Sequence, residues 1–400
     1  MKSKQLLLLV IAAIALGGGG LMVLKNRQAD YNRSTTDMGG KLLGTFDVNA
    51  VTALRLSQGT NVLNVVKSGD GWTVKERGGY PANFGEVAEL VRKLSELKVA
   101  QPQRVGASRL GMLELSRDTA TVVELLGSDG KALKTILLGK KHSKGGAEDN
   151  SPFGMGAMPD GRYVMVGNDL SSVAVVTDPL SNANPKPEEW VAKEFFKVEQ
   201  PVFVQVTASE PTNSFQLTRT NEFADWTLAD LKAGEEADKN KLTPFSSLLN
   251  GPSFNDVLVN PDLKALGLDQ PVEALVRTAT GFAYKLHIGK PQGEDSYPVQ
   301  VSVDASLVKE RTPGKDEKPE DKAKLDKEFA DKLAKQQEKL KAEQALSKWT
   351  FTVGKWTLDS LLKKRSELLV DKSAAPNPNP AGDTPATVID PLKLNLPGAN

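Results

Sequence analysis

Apolar and polar positions alternate through Val51–Ser57 (VTALRLS) and through NVLNVVKSGDGWTVKER, residues 61–77, where a Ser-Gly-Asp-Gly turn divides two arms. Period two predicts a strand followed by a hairpin. The period then changes. Phe84, Val87, Val91 and Leu94 fall on one helical face of FGEVAELVRKLSEL, and Asn83 with Glu86 has the spacing of an N-terminal cap. A second hairpin follows around Asp129-Gly130, then the strands GRYVMVG and SVAVVTD. A helix beginning near Glu188, with Trp190, Phe195 and Phe196, closes the unit.

The same order then returns. PVFVQVTA matches the first strand, and SFQLTRTNEFADWTLADL matches the hairpin, placing Trp226 154 positions after Trp72. TPFSSLLNG supplies a shorter helix with Thr243 as cap and Pro244 in its first turn. LKALGLDQ matches SRLGMLEL, and EALVRTATGFAYKLHIGK matches TVVELLGSDGKALKTILLGK. SYPVQVSVD matches RYVMVGN, and a Trp356 helix mirrors the Trp190 helix. The Leu-Gly pair repeats after 156 positions and the Gly-Lys pair after 150, so order and spacing are both kept. The pattern predicts an α+β chain of two tandem modules, 45–198 and 199–366, each a mostly antiparallel sheet with packed helices. The recurring tryptophans Trp72, Trp226, Trp190 and Trp356 are read as core residues.

Three segments depart from the repeat. Lys309–Lys348 is a charged insertion in the second module, and Glu320–Lys324, Glu328–Lys332 and Asp331–Lys335 make i,i+4 pairs that favour one long helix. Leu325, Phe329, Leu333 and Leu340 form a narrow apolar stripe on it, read as a partner-binding face or a light contact with its own module. The tail, residues 367–400, holds six prolines in the 28 residues from Ser373 and reads as disordered. At the N-terminus, Lys2 and Lys4 precede Leu6–Leu24, which is free of charge. Nineteen helical residues at ~1.5 Å span roughly 28 Å, close to a bilayer core. Residues 1–25 therefore read as a membrane anchor and 26–44 as a stalk. A cleaved signal peptide with Ala13-Ile14-Ala15 as its processing site is the competing reading. The large body beyond a single span favours an inner-membrane, single-pass protein with its body on the periplasmic side.

Composition narrows the chemistry. Fifty-one basic and 50 acidic residues leave a net charge of +1, which gives no field for nucleic acid. The absence of cysteine removes disulfides, thiolate metal sites and a thiol nucleophile. His142 and His287 are the only histidines, one after and one before its Gly-Lys pair, and read as strand-end polar residues. GKKHSKGG (139–146) lacks the leading glycine and following helix of a phosphate loop, and FGMGAMPDG (153–161) lacks the third glycine of a dinucleotide fingerprint. No catalytic, cofactor or metal site is expected from these patterns.

The Trp-Thr-apolar strands at Trp72 and Trp226, Gly79–Ala82, the Leu-Gly pairs and the Leu/Ile-Gly-Lys strand ends resemble a family, the domain of unknown function 4340. The resemblance spans both modules. It implies a membrane-tethered, exported bacterial α+β protein, of a kind often encoded beside gliding-motility-type ABC transporters. Its partner would then be an envelope or inner-membrane protein complex, an ABC transporter among the candidates. The expected role is structural or binding; an envelope hydrolase acting on glycan or peptide and a solute-binding module are the alternatives.

Overall fold

The computed structural model describes residues 37–143, 159–314 and 317–371. The expected anchor, residues 26–36 of the stalk and the tail beyond 371 lie outside the described residues. Among the described residues, no helix is long and apolar enough to cross a membrane.

The first half runs β1 (Ala53–Gln58), β2 (Asn61–Ser68), β3 (Gly71–Val74), β4 (Tyr80–Pro81), α1 (Phe84–Glu96), β5 (Val99–Pro102), β6 (Thr121–Leu126), β7 (Ala132–His142), β8 (Gly161–Val166) and β9 (Ala174–Val176). Its nine strands are ordered β4-β3-β2-β1-β6-β7-β8-β9-β5. One helical turn, α2 (Pro187–Trp190), leads to the second half. There β10 (Pro201–Thr207), β11 (Phe215–Thr218) and β12 (Thr227–Leu228) precede α3 (Lys239–Leu242). Then come β13 (Asp256–Leu258), β14 (Val272–Thr278), β15 (Phe282–Ile288), β16 (Ser296–Ala305), α4 (Pro319–Gln344), β17 (Thr350–Gly354) and α5 (Lys355–Leu362). The eight strands of this sheet are ordered β12-β11-β10-β14-β15-β16-β17-β13. Every pairing in both sheets is antiparallel. Leaving out β4, strands of the same rank occupy the same place in the two sheets.

Register agrees as well. Val74, Val65, Leu54 and Leu125 form one buried row across four strands of the first sheet. Leu228, Leu217, Val204 and Val276 form the matching row in the second. Helix α1 buries Val87, Leu90, Val91 and Leu94 in the apolar core. The Asn83 side chain accepts from the amides of Gly85 and Glu86, two of the donors a helix start leaves open. Asn83→Ala is expected to cost about 1 kcal/mol, read as a lower urea midpoint at unchanged slope.

The sheets share one continuous apolar core. At their junction Tyr80 meets Phe254, Trp349 and Phe351 edge to face, with centroids 5.9, 5.1 and 6.0 Å apart. Beside these rings, Arg77 grips Asp256 through two hydrogen bonds of 2.6 and 2.7 Å and reaches Glu188 at 3.2 Å. The rings and the fork fill this seam, so it is packed rather than open.

Several local expectations change. Residues 37–44 belong to the fold, not to a stalk: the Gly39 and Leu42 amides bond to Val99 and Leu97 carbonyls, and Leu42 and Leu43 are buried. The second half continues past 366, since Leu368 is buried and the Val370 amide bonds to the Glu236 carbonyl. The helix expected at Thr243 starts earlier, capped by Asp238, and passes into a 3-10 turn at Thr243–Ser247. Phe195 and Phe196 lie beyond α2 in irregular chain, where Phe195 meets Phe196 tilted at 4.6 Å and Phe351 edge to face at 4.8 Å. Trp356 is 72% exposed although Trp190 is buried. It stands in the first turn of α5 with its indole folded over Gly354 instead of the core.

Candidate functional site

In the first sheet Lys67 stands directly opposite Trp72 across the tight β2–β3 hairpin. Trp72 is half-buried and packs on the core with one part of its indole. Facing it is the start of α1, where Phe84 is 63% exposed. The sequence pattern places Phe84 on one helical face with Val87, Val91 and Leu94, and those three are buried. Side chains of a helix lean toward its N-terminus, so the first residue projects past the helix end. Between these elements lies an open groove of about 530 Å³. Its walls are Val48, Val51, Trp72, Phe84, Val87 and Val91, with Asn49, Lys67, Arg92, Ser95 and Glu96 around them. Arg92 and Glu96 neutralise each other at 2.9 Å. Lys67 is exposed and has no carboxylate partner among the described residues.

The same place in the second sheet is closed. Arg219 follows Thr218 as Lys67 follows Val66, and Trp226 precedes Thr227 as Trp72 precedes Thr73. Here the guanidinium stacks on the indole at 4.6 Å. Its Nε donates to the Pro201 carbonyl at 2.7 Å, and its Nη1 donates to the Glu222 carbonyl at 2.8 Å and to Ser246 Oγ at 3.2 Å. The Trp226 Nε1–H also donates to Ser246 Oγ, at 3.1 Å. Burial pulls the Arg219 guanidinium below its ordinary pKa, with the Glu222 charge opposing the shift. A cavity of about 190 Å³ remains at the Trp226 indole, and a second of about 320 Å³, away from the indole, also borders Arg219. The difference has a cause in residue type and loop length. A planar guanidinium can stack and fork where an ammonium stays hydrated, and the Arg219–Trp226 loop folds back to offer the Glu222 carbonyl.

The four residues of the apolar stripe, Leu325, Phe329, Leu333 and Leu340, lie on α4 and are each partly shielded. Helix α4 packs along β16, and Leu340 contacts the shared core. At its N-terminal end Arg311 bonds to Asp326 and Glu317. The two histidines are not brought together. His142, on β7, has its Nδ1 2.8 Å from Asp160, and His287, on β15 of the other sheet, lies 3.6 Å from Glu273. Among the described residues, no three His, Asp or Glu side chains are grouped to hold a metal. The Gly-Lys pairs have a packing role: a Cβ on Gly139 would overlap the Leu113 carbonyl oxygen, and one on Gly289 the Leu266 carbonyl oxygen. Residues 144–158, with most of the FGMGAMPDG run, lie outside the described residues.

One family model matches 122 of the 400 residues. That family model, described as "Domain of unknown function (DUF4340)", matches residues 150–271. That segment straddles the two sheets, from the approach to β8 to the residue before β14. It contains the closed Arg219–Trp226 place and stops short of the open groove at Trp72. No curated protein and no solved structure matches the chain.

Proposed function

We propose that the chain is a tandem duplication acting as a binding protein, with its partner site in the groove between Trp72 and Phe84. One contrast carries the reading: of two equivalent Trp–cation places, one has Arg219 stacked on its indole beside about 190 Å³ of space, and the other opens on a groove of about 530 Å³. Large exposed aromatic residues beside an apolar cleft are what a partner's side chains bury most favourably. Unpaired Lys67 suits a partner segment that carries an acidic residue next to its apolar anchor. The family resemblance and the apolar run Leu6–Leu24 support a membrane-tethered envelope protein, accessory to an ABC-type export or motility complex. The partner is then a protein of that complex.

A photoreactive phenylalanine analogue at position 84 tests this in membranes containing the full chain. It is expected to crosslink one discrete envelope protein, and the same analogue at Phe223, exposed beside the closed place, is not. The adduct should disappear in Trp72→Ala. Equal adducts from positions 84 and 223, or an adduct indifferent to Trp72→Ala, would overturn the groove as the partner site.

A further inference from the structure

We propose that Glu343 is a proton-dependent clamp that, when protonated, fastens the end of α4 and the inter-module segment 195–200 to Tyr284 on β15. Glu343 is buried although it belongs to a highly charged helix. Its Oε1 accepts from the Lys197 amide at 2.9 Å. Its Oε2 lies 3.0 Å from the Tyr284 hydroxyl, which lies 2.8 Å from the Lys197 carbonyl oxygen. Three polar groups thus close a ring, and the proton count decides whether the ring holds. With an ionised carboxylate, the single tyrosine proton faces two acceptors and serves only one of them well. With a proton on Oε2, each contact has its own: Oε2–H donates to the tyrosine oxygen, the tyrosine donates to the Lys197 carbonyl, and the Lys197 amide donates to Oε1.

The surrounding charges do not settle the matter in favour of the ion. Lys339, one turn back on α4, has its Nζ 3.9 Å from Glu343. That ammonium is already engaged by Glu199 at 2.9 Å and the Lys197 carbonyl at 2.8 Å, and it lies 5.0 Å from the Phe282 ring. The Lys197 ammonium is taken by Glu199 at 3.2 Å. From β15 and the linking segment, Phe282, Tyr284 and Phe196 present uncharged rings. Burial, reinforced by the Glu199 charge, holds the Glu343 carboxyl above its ordinary 4.5, against the opposing pull of the Lys197 amide, Lys339 and Tyr284. Closing the clamp therefore takes up a proton. Its contribution is complete below about pH 4.5 and is lost as pH rises through the raised value in the folded protein.

Hydrogen exchange of the full chain, followed between about pH 5 and 8 and corrected for intrinsic rates, tests the clamp. Opening at the Lys197 amide should rise with pH by up to about tenfold per unit, the limit for one linked proton. Glu343→Gln, whose amide can make the same three bonds without a titrating proton, should remove that dependence and keep the segment protected. Tyr284→Phe keeps the carboxyl buried but opens the ring, so protection should already be low at the acid end. A flat wild-type profile overturns the clamp. So does an unchanged slope in either variant, and the Tyr284→Phe result stands alone if Glu343→Gln fails to fold.

Discussion

Gly289→Ala is expected to destabilise the protein by about 3 kcal/mol, the upper end of the usual cost of forcing extra volume into a packed site. The added Cβ would overlap the Leu266 carbonyl oxygen and come within 2.8 Å of Pro298 Cγ and 3.2 Å of Leu268 Cγ. A carbonyl fixed in a turn cannot rotate away as a side-chain tip can. The Leu266 oxygen also accepts from the Lys290 amide at 2.8 Å, so moving it breaks a second contact. Gly139→Ala should cost a similar amount, because the obstacle there is the Leu113 carbonyl with Leu115 behind it. Gly111→Ala serves as the control: nothing lies within 4 Å of its added Cβ, and the change should fall within about 0.5 kcal/mol. Urea unfolding of the three variants decides the point. A cost below about 1 kcal/mol at both Gly139 and Gly289 would mean the close approach imposes no constraint.

These glycines also show how far the sequence could be read. The Gly-Lys repeat was visible as a spacing, but its reason is a carbonyl from a turn more than twenty positions away. The Leu-Gly match was three residues out of register. Leu115 donates to the Leu110 carbonyl, and Leu268 donates to the Leu263 carbonyl. The true counterpart of Gly267 is therefore Glu114, and both residues are left-handed, at φ 70° and 55°. A glutamate in a conformation that favours glycine leaves no letter to align. Alternation and helical periodicity, in contrast, locate α1 and the long strands, because those patterns are local, but miss β4, β5, β13 and β17.

The groove at Trp72 and the ring at Glu343 are illegible in the sequence for related reasons. Phe84 shares a helical phase with three core residues, and only its place at the helix start removes it from them. Glu343 and Arg219 are charged, and charge normally predicts exposure. What overrides that rule is partners that only folding brings near: Lys197 lies 146 positions from Glu343, and Ser246 lies 27 from Arg219. Trp72 and Trp226 were paired correctly, yet identical letters did not mean identical burial.

That last difference yields the sharpest comparison. Trp226→Ala should cost about 3–5 kcal/mol, as for a large buried aromatic side chain. Trp226 is 7% exposed, meets Phe245 at 6.5 Å and donates to Ser246. Its loss also strips the Arg219 guanidinium of its stacking surface while leaving it enclosed. Trp72→Ala should cost less, about 1–2 kcal/mol, because part of its indole already faces the groove and no cavity needs to open in the core. In partner binding the order reverses. Trp72→Ala should weaken association by about 2 kcal/mol, roughly thirtyfold, as expected for an aromatic anchor at the centre of an interface. A Trp226 substitution to Phe, which keeps most of the buried volume, should leave binding unchanged. Urea midpoints and crosslinking yield from position 84 measure the two quantities separately. Equal stability losses at Trp72 and Trp226 would show that the first place is as closed in solution as the second, and the groove would lose its claim as a binding site.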